Sequence, residues 1–357
     1  MHRILVVGPS WIGDTVLAQP LFKLLHARHG ALALDVLAPP WTLPILDRMP
    51  DVRRGIGSPA GHGELRLAAQ RRTARELAQE GYERAIVLPN SFKSALVPWM
   101  AGIPARTGYL GELRWGLLND VRRVDARQHP QIAQRYAALA LARGESLHLP
   151  LPALELRVDE PQRRATLAKL GLDADRPAAA LCPGAEYGPA KRWPARYFAE
   201  LAQRLAGAGY AVWLVGSAND AEAGAEIASL SPSRNLCGRT ALGEAIDVLA
   251  SARFVVSNDS GLMHVAAALG RPLIALYGSS SPAYTPPLSP DARILQLDLP
   301  CRPCFQRVCP LGHFKCMVEL TPDHVLATIE SAGAVPALIP DYDGLGDLRL
   351  PKRPDSG

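Results

Sequence analysis

Short apolar runs punctuate the chain: "RILVVG", "LALDVLAP", "RAIVLPN", then "AAALCPG", "AVWLVGS", "FVVSND" and "PLIALYG". Between them lie segments with apolar residues every three or four positions, such as "TVLAQPLFKLLHARHG", "RYFAELAQRLAGAGY" and "GLMHVAAALG". A brief continuous apolar run fits a strand covered on both faces. Such strands alternating with helices predict parallel sheets built from βαβ units. The first of these helices should stop at Gly30, the second should start after "WP" and stop at Gly207 or Gly209, and the third should stop at Gly270.

The alternation pauses in "RGESLHLPLPALELRVDEPQ", where Pro150, Pro152 and Pro161 predict an extended linker over about 143–162. The expectation is an α/β protein with two Rossmann-like, doubly wound parallel-sheet domains, 1–160 and 161–334, facing a central cleft. The last residues, 335–357, carry Pro, Gly and charge without periodicity and should be loosely ordered. A length of 357 residues suits two domains of ordinary size.

Composition adds exclusions. No run reaches the roughly 18–20 apolar residues of a membrane span. The start, "MHRILVVGPS", is a strand pattern rather than a secretion signal, so a cytoplasmic location is expected. Residues 1–160 hold 20 Lys+Arg against 15 Asp+Glu, whereas 161–357 hold 19 of each. The net charge of +5 therefore sits in the first half, and Lys93 to Arg143 alone carries eight basic and three acidic residues. This suits a solvated Arg-rich surface or an anionic partner. No nucleic-acid motif accompanies it, and no nucleic acid is expected.

Six cysteines are present. Cys182 and Cys237 are isolated, while Cys301, Cys304, Cys309 and Cys316 share "CRPCFQRVCPLGHFKC" with His313. The C-x2-C opening has zinc half-site spacing, but the C-x6-C second half is irregular, leaving structural zinc and reduced thiols both open.

In open α/β sheets, ligands bind beyond the carboxyl ends of the strands, which selects Gly8–Asp14, Pro89–Lys93, Cys182–Lys191, Gly216–Asp220, Ser257–His264 and Gly278–Ser281. In "FVVSNDSGLMH" a strand should end at Val256, with Asp259 and Ser260 in N-cap positions and a helix opening at Gly261. Free N–H groups there suit a diphosphate, and Gly261 lets an anion approach the backbone. Asp259 suits sugar or ribose hydroxyls, or it only caps the helix. Lys191, in "GPAKRWP", could pair with a leaving phosphate or be merely solvated. "GPSWIGDTVLAQPLFKLL" lacks the glycine-rich nucleotide fingerprints. It puts Asp14 at a helix start, either as a cap or as a base for an acceptor hydroxyl.

"GPSWIGDTVLAQPLFKLLHARHG", "LPNSFKSALVPWMAGIPARTGYLGELRWGLLND", "CPGAEYGPAKRWP" and "NDSGLMHVAAALGRPLIALYGSSSPAYTPPLS" together resemble glycosyltransferase family 9, the heptosyltransferases of GT-B fold, over residues 3 to about 330. "SWIGD" with "PNSFKSALVP" resembles the members that act second rather than first. The resemblance implies inverting transfer of L-glycero-D-manno-heptose from ADP-heptose to the first heptose of the Kdo2-lipid A inner core, in lipopolysaccharide core biosynthesis. It implies a monomer in peripheral contact with the cytoplasmic face of the inner membrane.

Carried over by motif, Asp14 would be the base and Lys191 would meet the diphosphate. Pro183, Gly184, Ala185, Gly216, Ser217, Asp259, Ser260, Gly261 and His264 would line the donor site. Ser10, Trp11, Asn90, Ser91 and Lys93 would face the acceptor. Asp220 and Glu222 both remain open as the ribose ligand. The resemblance implies no metal and no cofactor in catalysis, and any zinc at the cysteines would be structural, since other members lack that cluster. The competing readings are a first-acting heptosyltransferase, a GT-B sugar-nucleotide epimerase or hydrolase, and a non-catalytic membrane-binding module.

Overall fold

The protein, seen here as a computed structural model, is described over residues 1–59 and 66–331. The expected tail at 335–357 lies outside the described residues. The first sheet contains β1 (His2–Val7), β2 (Leu32–Ala38), β3 (Arg54–Gly57), β4 (Arg84–Val87), β5 (Ala105–Tyr109) and β6 (Asp120–Arg122), in the order β3-β2-β1-β4-β5-β6. The second contains β7 (Ala178–Cys182), β8 (Ala211–Leu214), β9 (Arg234–Asn235), β10 (Phe254–Asn258), β11 (Leu273–Leu276) and β12 (Ala292–Leu295), in the order β12-β11-β10-β7-β8-β9. Every pairing is parallel. Read from its other edge, the second order repeats the first, so each sheet reverses direction once, between β1 and β4 and between β7 and β10. Those reversals open crevices at the strand ends.

The seven apolar runs form the seven inner or well-covered strands. β2 is buried along its whole length, including Asp35. That carboxylate survives burial because Arg53, Arg54 and Tyr82 donate to it. Burial acts to raise its pKa, but the bonds from Arg53 and Tyr82 outweigh it and hold the value below the usual carboxylate range.

The predicted helix to Gly30 is divided into Ile12–Leu17 and Gln19–His29. Pro20 has no N–H to continue the ladder and sits in the first turn of the second piece, where none is needed. Gly30 ends it at φ 61°. Ala195–Gly207 stops at Gly207, one of the two expected residues, and Gly261–Ala268 is followed by Gly270 at φ 63°.

The expected linker is extended but tightly held, and it ends early, because a helix begins at Glu160 with Asp159 accepting from Gln162 N–H. Gln19 exchanges two 2.7 Å bonds with the Glu155 backbone. Leu156 N–H reaches Ala268 O in the second half at 2.9 Å, and Arg157 N–H reaches Arg48 O in the first at 2.7 Å. Arg48 also pairs with buried Asp247 across the halves at 2.7 Å, and the Thr166 hydroxyl satisfies the other carboxylate oxygen. One apolar cluster runs from Ile4 and Phe22 through Leu154 and Leu156 to Val255 and Tyr277. The two sheets therefore share a core, and the crevices at their switch points face each other.

Candidate active site

β1 delivers the chain to Gly8 and a turn through Trp11, after which Asp14 stands in the first turn of the helix. The capping reading is not realised, since the cap residue is Trp11 and no side-chain cap bond forms. Asp14 is instead half-buried. Burial lifts its pKa to about 6, the Lys191 charge works downward, and the Asp259 charge adds to the rise. Both charges come from the second half of the chain.

There β10 runs to Asn258, two residues past the expected end at Val256, and the helix opens at Gly261 as expected. Asp259 does not cap this helix. Ser260 holds the N-cap position without a cap bond, its hydroxyl 3.2 Å from Ser257 Oγ. The Asp259 Oδ2 atom accepts from Lys191 Nζ at 2.6 Å and from the Ser280 hydroxyl. Lys191 arrives on the short 3-10 turn Pro189–Lys191 and lies 4.9 Å from the Tyr187 ring centre. Asn258 fixes this arrangement by donating to Pro183 O at 2.7 Å and accepting from Trp193 N–H at 3.1 Å.

The two helix starts approach because each carries a glycine in its first turn. A Cβ on Gly13 would lie 2.8 Å from His264 Cδ2, and one on Gly261 would lie 2.8 Å from Ile12 Cβ. His264 is buried at this contact. Burial lowers its pKa to about 4, so the ring is neutral near pH 7, and its Nδ1 has no partner among the described residues.

Of the other residues expected at the donor site, Gly184, Gly216 and Ser217 surround Asp220. A Cβ on Gly184 would collide with its carboxylate, and Gly216 lies against its Cβ. Ser217 donates to Asp220 through its N–H at 2.9 Å and its hydroxyl at 2.7 Å. Asp220 is buried while Glu222 is exposed. Ala185 is buried, with its carbonyl accepting from Arg192. Pro183 instead lines a separate hollow of about 370 Å³ with Arg192, Trp193 and Phe314, which includes neither Lys191 nor Asp259.

Of the residues expected at the acceptor, Ser10, Trp11 and Asn90 line one pocket of about 300 Å³ together with Asp14. Ser91 and Lys93 do not line it; Lys93 lies in the adjoining Phe92–Ala95 turn, which Ser91 precedes. Sequence reasoning missed Tyr109, Arg135, Tyr136 and Tyr284, which complete the wall. Tyr284 reaches in from the second half. Its carbonyl accepts from Ile132 N–H at 3.0 Å, and the Arg135 guanidinium lies 5.0 Å from its ring centre. The Tyr in "SSSPAYTPP" was the available signal, an aromatic on a proline-rich loop after a strand.

The cysteine segment wraps the Lys191 loop. Arg307 O accepts from Ala190 N–H at 3.0 Å, Phe305 O from the Tyr187 hydroxyl at 2.5 Å, and Phe305 N–H reaches Ser279 O at 2.8 Å. The thiols of Cys301, Cys304, Cys309 and Cys316 are free. Among the described residues no three His, Cys, Asp or Glu side chains come together as a metal-holding group.

Residues 70–315 match the family model described as glycosyltransferase family 9 (heptosyltransferase). The chain belongs to glycosyltransferase family 9. Its relatives within the family include lipopolysaccharide heptosyltransferase 2 of Escherichia coli K12, 47% identical over 340 residues, covering 92% of this chain and 98% of the relative. Lipooligosaccharide heptosyltransferase 2 of Haemophilus influenzae is 46% identical over 308 residues, covering 83% and 88%. Among solved structures, E. coli ADP-heptose lps heptosyltransferase II superposes with a TM-score of 0.83 at 44% identity, covering 92% of this chain and 98% of that one. The paired parallel sheets are thus the GT-B arrangement of this glycosyltransferase family. Among the described residues no helix is long and apolar enough to cross a membrane.

Proposed function

We propose that this family 9 enzyme transfers heptose from ADP-heptose to a heptose already present on the Kdo2-lipid A inner core, as the second heptosyltransferase of lipopolysaccharide core assembly. The observation that carries the reading is Asp14, which lines the 300 Å³ pocket while the Lys191–Asp259 pair acts on it from the other half. A base beside an acceptor-sized pocket, opposed by a cation at a helix N-terminus, is what inverting transfer needs.

In the reaction, an acceptor hydroxyl oxygen in the pocket attacks the anomeric carbon from the face opposite the diphosphate. Its proton passes to the Asp14 carboxylate. The bond from the anomeric carbon to the diphosphate oxygen breaks, and its electron pair leaves with ADP. A base with a pKa near 6 is ionised at pH 7 yet still takes a proton effectively. Negative charge growing on the departing diphosphate is met by Lys191 and by the free N–H groups at Gly261, preorganised groups that need no rearrangement. His264, kept neutral by burial, packs against Gly13 and holds base and donor site at a fixed separation. Asn90, Ser10 and Trp11 position the acceptor sugar, Ser91 and Lys93 extend that surface, and Asp220 is the ribose ligand. The enzyme works in peripheral contact with the inner membrane that holds its acceptor.

The test is a donor and acceptor panel. Purified protein should release ADP from ADP-heptose, with matching product mass, only when heptosylated Kdo2-lipid A is supplied. Release with the non-heptosylated acceptor would identify a first-acting enzyme, and turnover of ADP-heptose alone would identify an epimerase or hydrolase.

A further inference from the structure

Tyr136 stands on the helix Ile132–Ala138 of the first half, a helix held firmly at its start. Ile132 N–H donates to Tyr284 O of the second half at 3.0 Å, and Gln131 N–H donates to the Gln134 side chain at 3.1 Å. Tyr136 is 7% exposed and lines the pocket of about 300 Å³ with Asp14. Buried tyrosines elsewhere satisfy their hydroxyls: Tyr82 donates to Asp35, Tyr109 to Arg135 O at 2.6 Å, and Tyr277 to Thr285 O at 2.6 Å. The Tyr136 hydroxyl makes no hydrogen bond among the described residues, nor does the Asp14 carboxylate.

A buried phenol without a partner is a destabilising feature that calls for an explanation. This one is not sealed in, because its oxygen keeps contact with the pocket. Burial first, then the charges of Asp14 and Tyr284, push its pKa well above the ordinary tyrosine range, so it remains a neutral O–H donor. Tyr136 and Asp14 are thus near enough for their charges to interact, yet they are not bonded to each other. A donor and an acceptor so placed frame a gap for a ligand with hydroxyls on adjacent atoms, which is the chemistry of a sugar ring. The attacking oxygen is a poor partner for Tyr136. It gives its proton to Asp14 and needs a lone pair for the anomeric carbon, so a hydrogen bond donated to it would weaken it as a nucleophile. A neighbouring hydroxyl has no such duty, and a grip on it stops the sugar pivoting about its contact with Asp14.

We propose that Tyr136 donates to a hydroxyl of the acceptor sugar adjacent to the attacked one, so that the pocket selects a ring with two neighbouring hydroxyls and aims the attacking oxygen at Asp14. This rests on the transfer reading above, in which Asp14 is the base. The experiment compares wild type with Tyr136→Phe, which keeps the ring. The acceptors are the heptosylated acceptor and analogues in which each hydroxyl next to the attacked one is singly replaced by hydrogen. Transfer is followed by ADP release. Binding of the same acceptors, freed of their acyl chains, is followed by calorimetry with ADP present.

Wild type should lose about tenfold in kcat/KM on one of the analogues. Tyr136→Phe should lose about tenfold on the full acceptor and less than about twofold more on that analogue, since the two changes remove the same contact. Its melting temperature and its KM for ADP-heptose should stay near wild type, which a disturbed helix would not allow. The proposal is overturned if Tyr136→Phe still discriminates against that analogue as wild type does, if it equals wild type on the full acceptor, or if wild type uses every analogue as well as the full acceptor. Each of those results leaves the transfer reading standing. Conversely, acceptor binding that depends on Tyr136 and on one neighbouring hydroxyl, in a protein that releases no ADP from ADP-heptose, would refute the transfer reading and leave the contact intact.

Discussion

Lys191 and Asp259, 68 residues apart in the chain, form an ion pair of 2.6 Å at the point where the two halves meet. The ammonium is therefore already placed beside the helix start at Gly261 before a diphosphate arrives. Asp259 is almost fully buried, and Ser280 is its other partner. Lys191→Met leaves that carboxylate without a cation and should lower stability by about 3 kcal/mol. Adding Asp259→Asn should restore most of the stability, while ADP affinity stays reduced by about a hundredfold in both variants. Denaturant unfolding together with ADP titration separates the two effects.

Asp14 titrates near 3.8 in an unfolded chain and near 6 in the fold, because burial penalises its charge. The folded state binds its proton more tightly, so this group's contribution to stability falls as pH rises from about 4 to about 6. Asp14→Asn should remove that loss and be more stable above pH 6 by up to roughly 3 kcal/mol. It should also lower kcat by about 10² or more. The wild-type rate should fall below pH 6 as Asp14 protonates, a limb absent from the variant's profile.

His264 shifts the opposite way. Its value of about 4, against 6.5 in the unfolded chain, comes mainly from burial. The unfolded state takes up the proton first as pH falls, so stability due to this group is present above about 6.5 and is lost progressively down to about 4. His264→Gln should weaken the fall in melting temperature between pH 6.5 and 4.

The glycines at the two helix starts set how closely the halves approach. A methyl group at Gly261 would meet Ile12 at 2.8 Å on two of its carbons, closer than packed carbons come. Gly261→Ala should cost about 1–3 kcal/mol and reduce kcat by moving Asp14 from the donor site. Thermal unfolding and steady-state kinetics read both consequences. Gly243→Ala, where a Cβ meets nothing, is the neutral control.

Tyr284 crosses from the second half to wall the 300 Å³ pocket beside Arg135. Tyr284→Ala should raise KM for the acceptor about tenfold while leaving KM for ADP-heptose near wild type, and Tyr284→Phe should recover most of the loss because the ring face supplies the contact. Equal changes in both KM values would instead indicate loosened halves.

Seven strands and three of the helices after them were legible in the sequence because each depends on short-range periodicity. β3, β5, β6, β9 and β12 were not. Segments such as "DVR" and "RN" lie towards the sheet edges, partly exposed, and carry no continuous apolar run. The family motifs likewise identified Asp14, Lys191 and Asp259 as residues to examine, since residue type and position at a strand end are local properties. The surroundings of each one were decided only by tertiary structure. Asp14 reads as a helix cap from its neighbours. It becomes a raised-pKa carboxylate only when the second half covers it, because desolvation depends on residues distant in sequence. Asp259 reads as a cap until Lys191 and Ser280 are folded onto it. Tyr284 joins the acceptor pocket only when the two sheets close on a shared core, a long-range contact that no local pattern encodes.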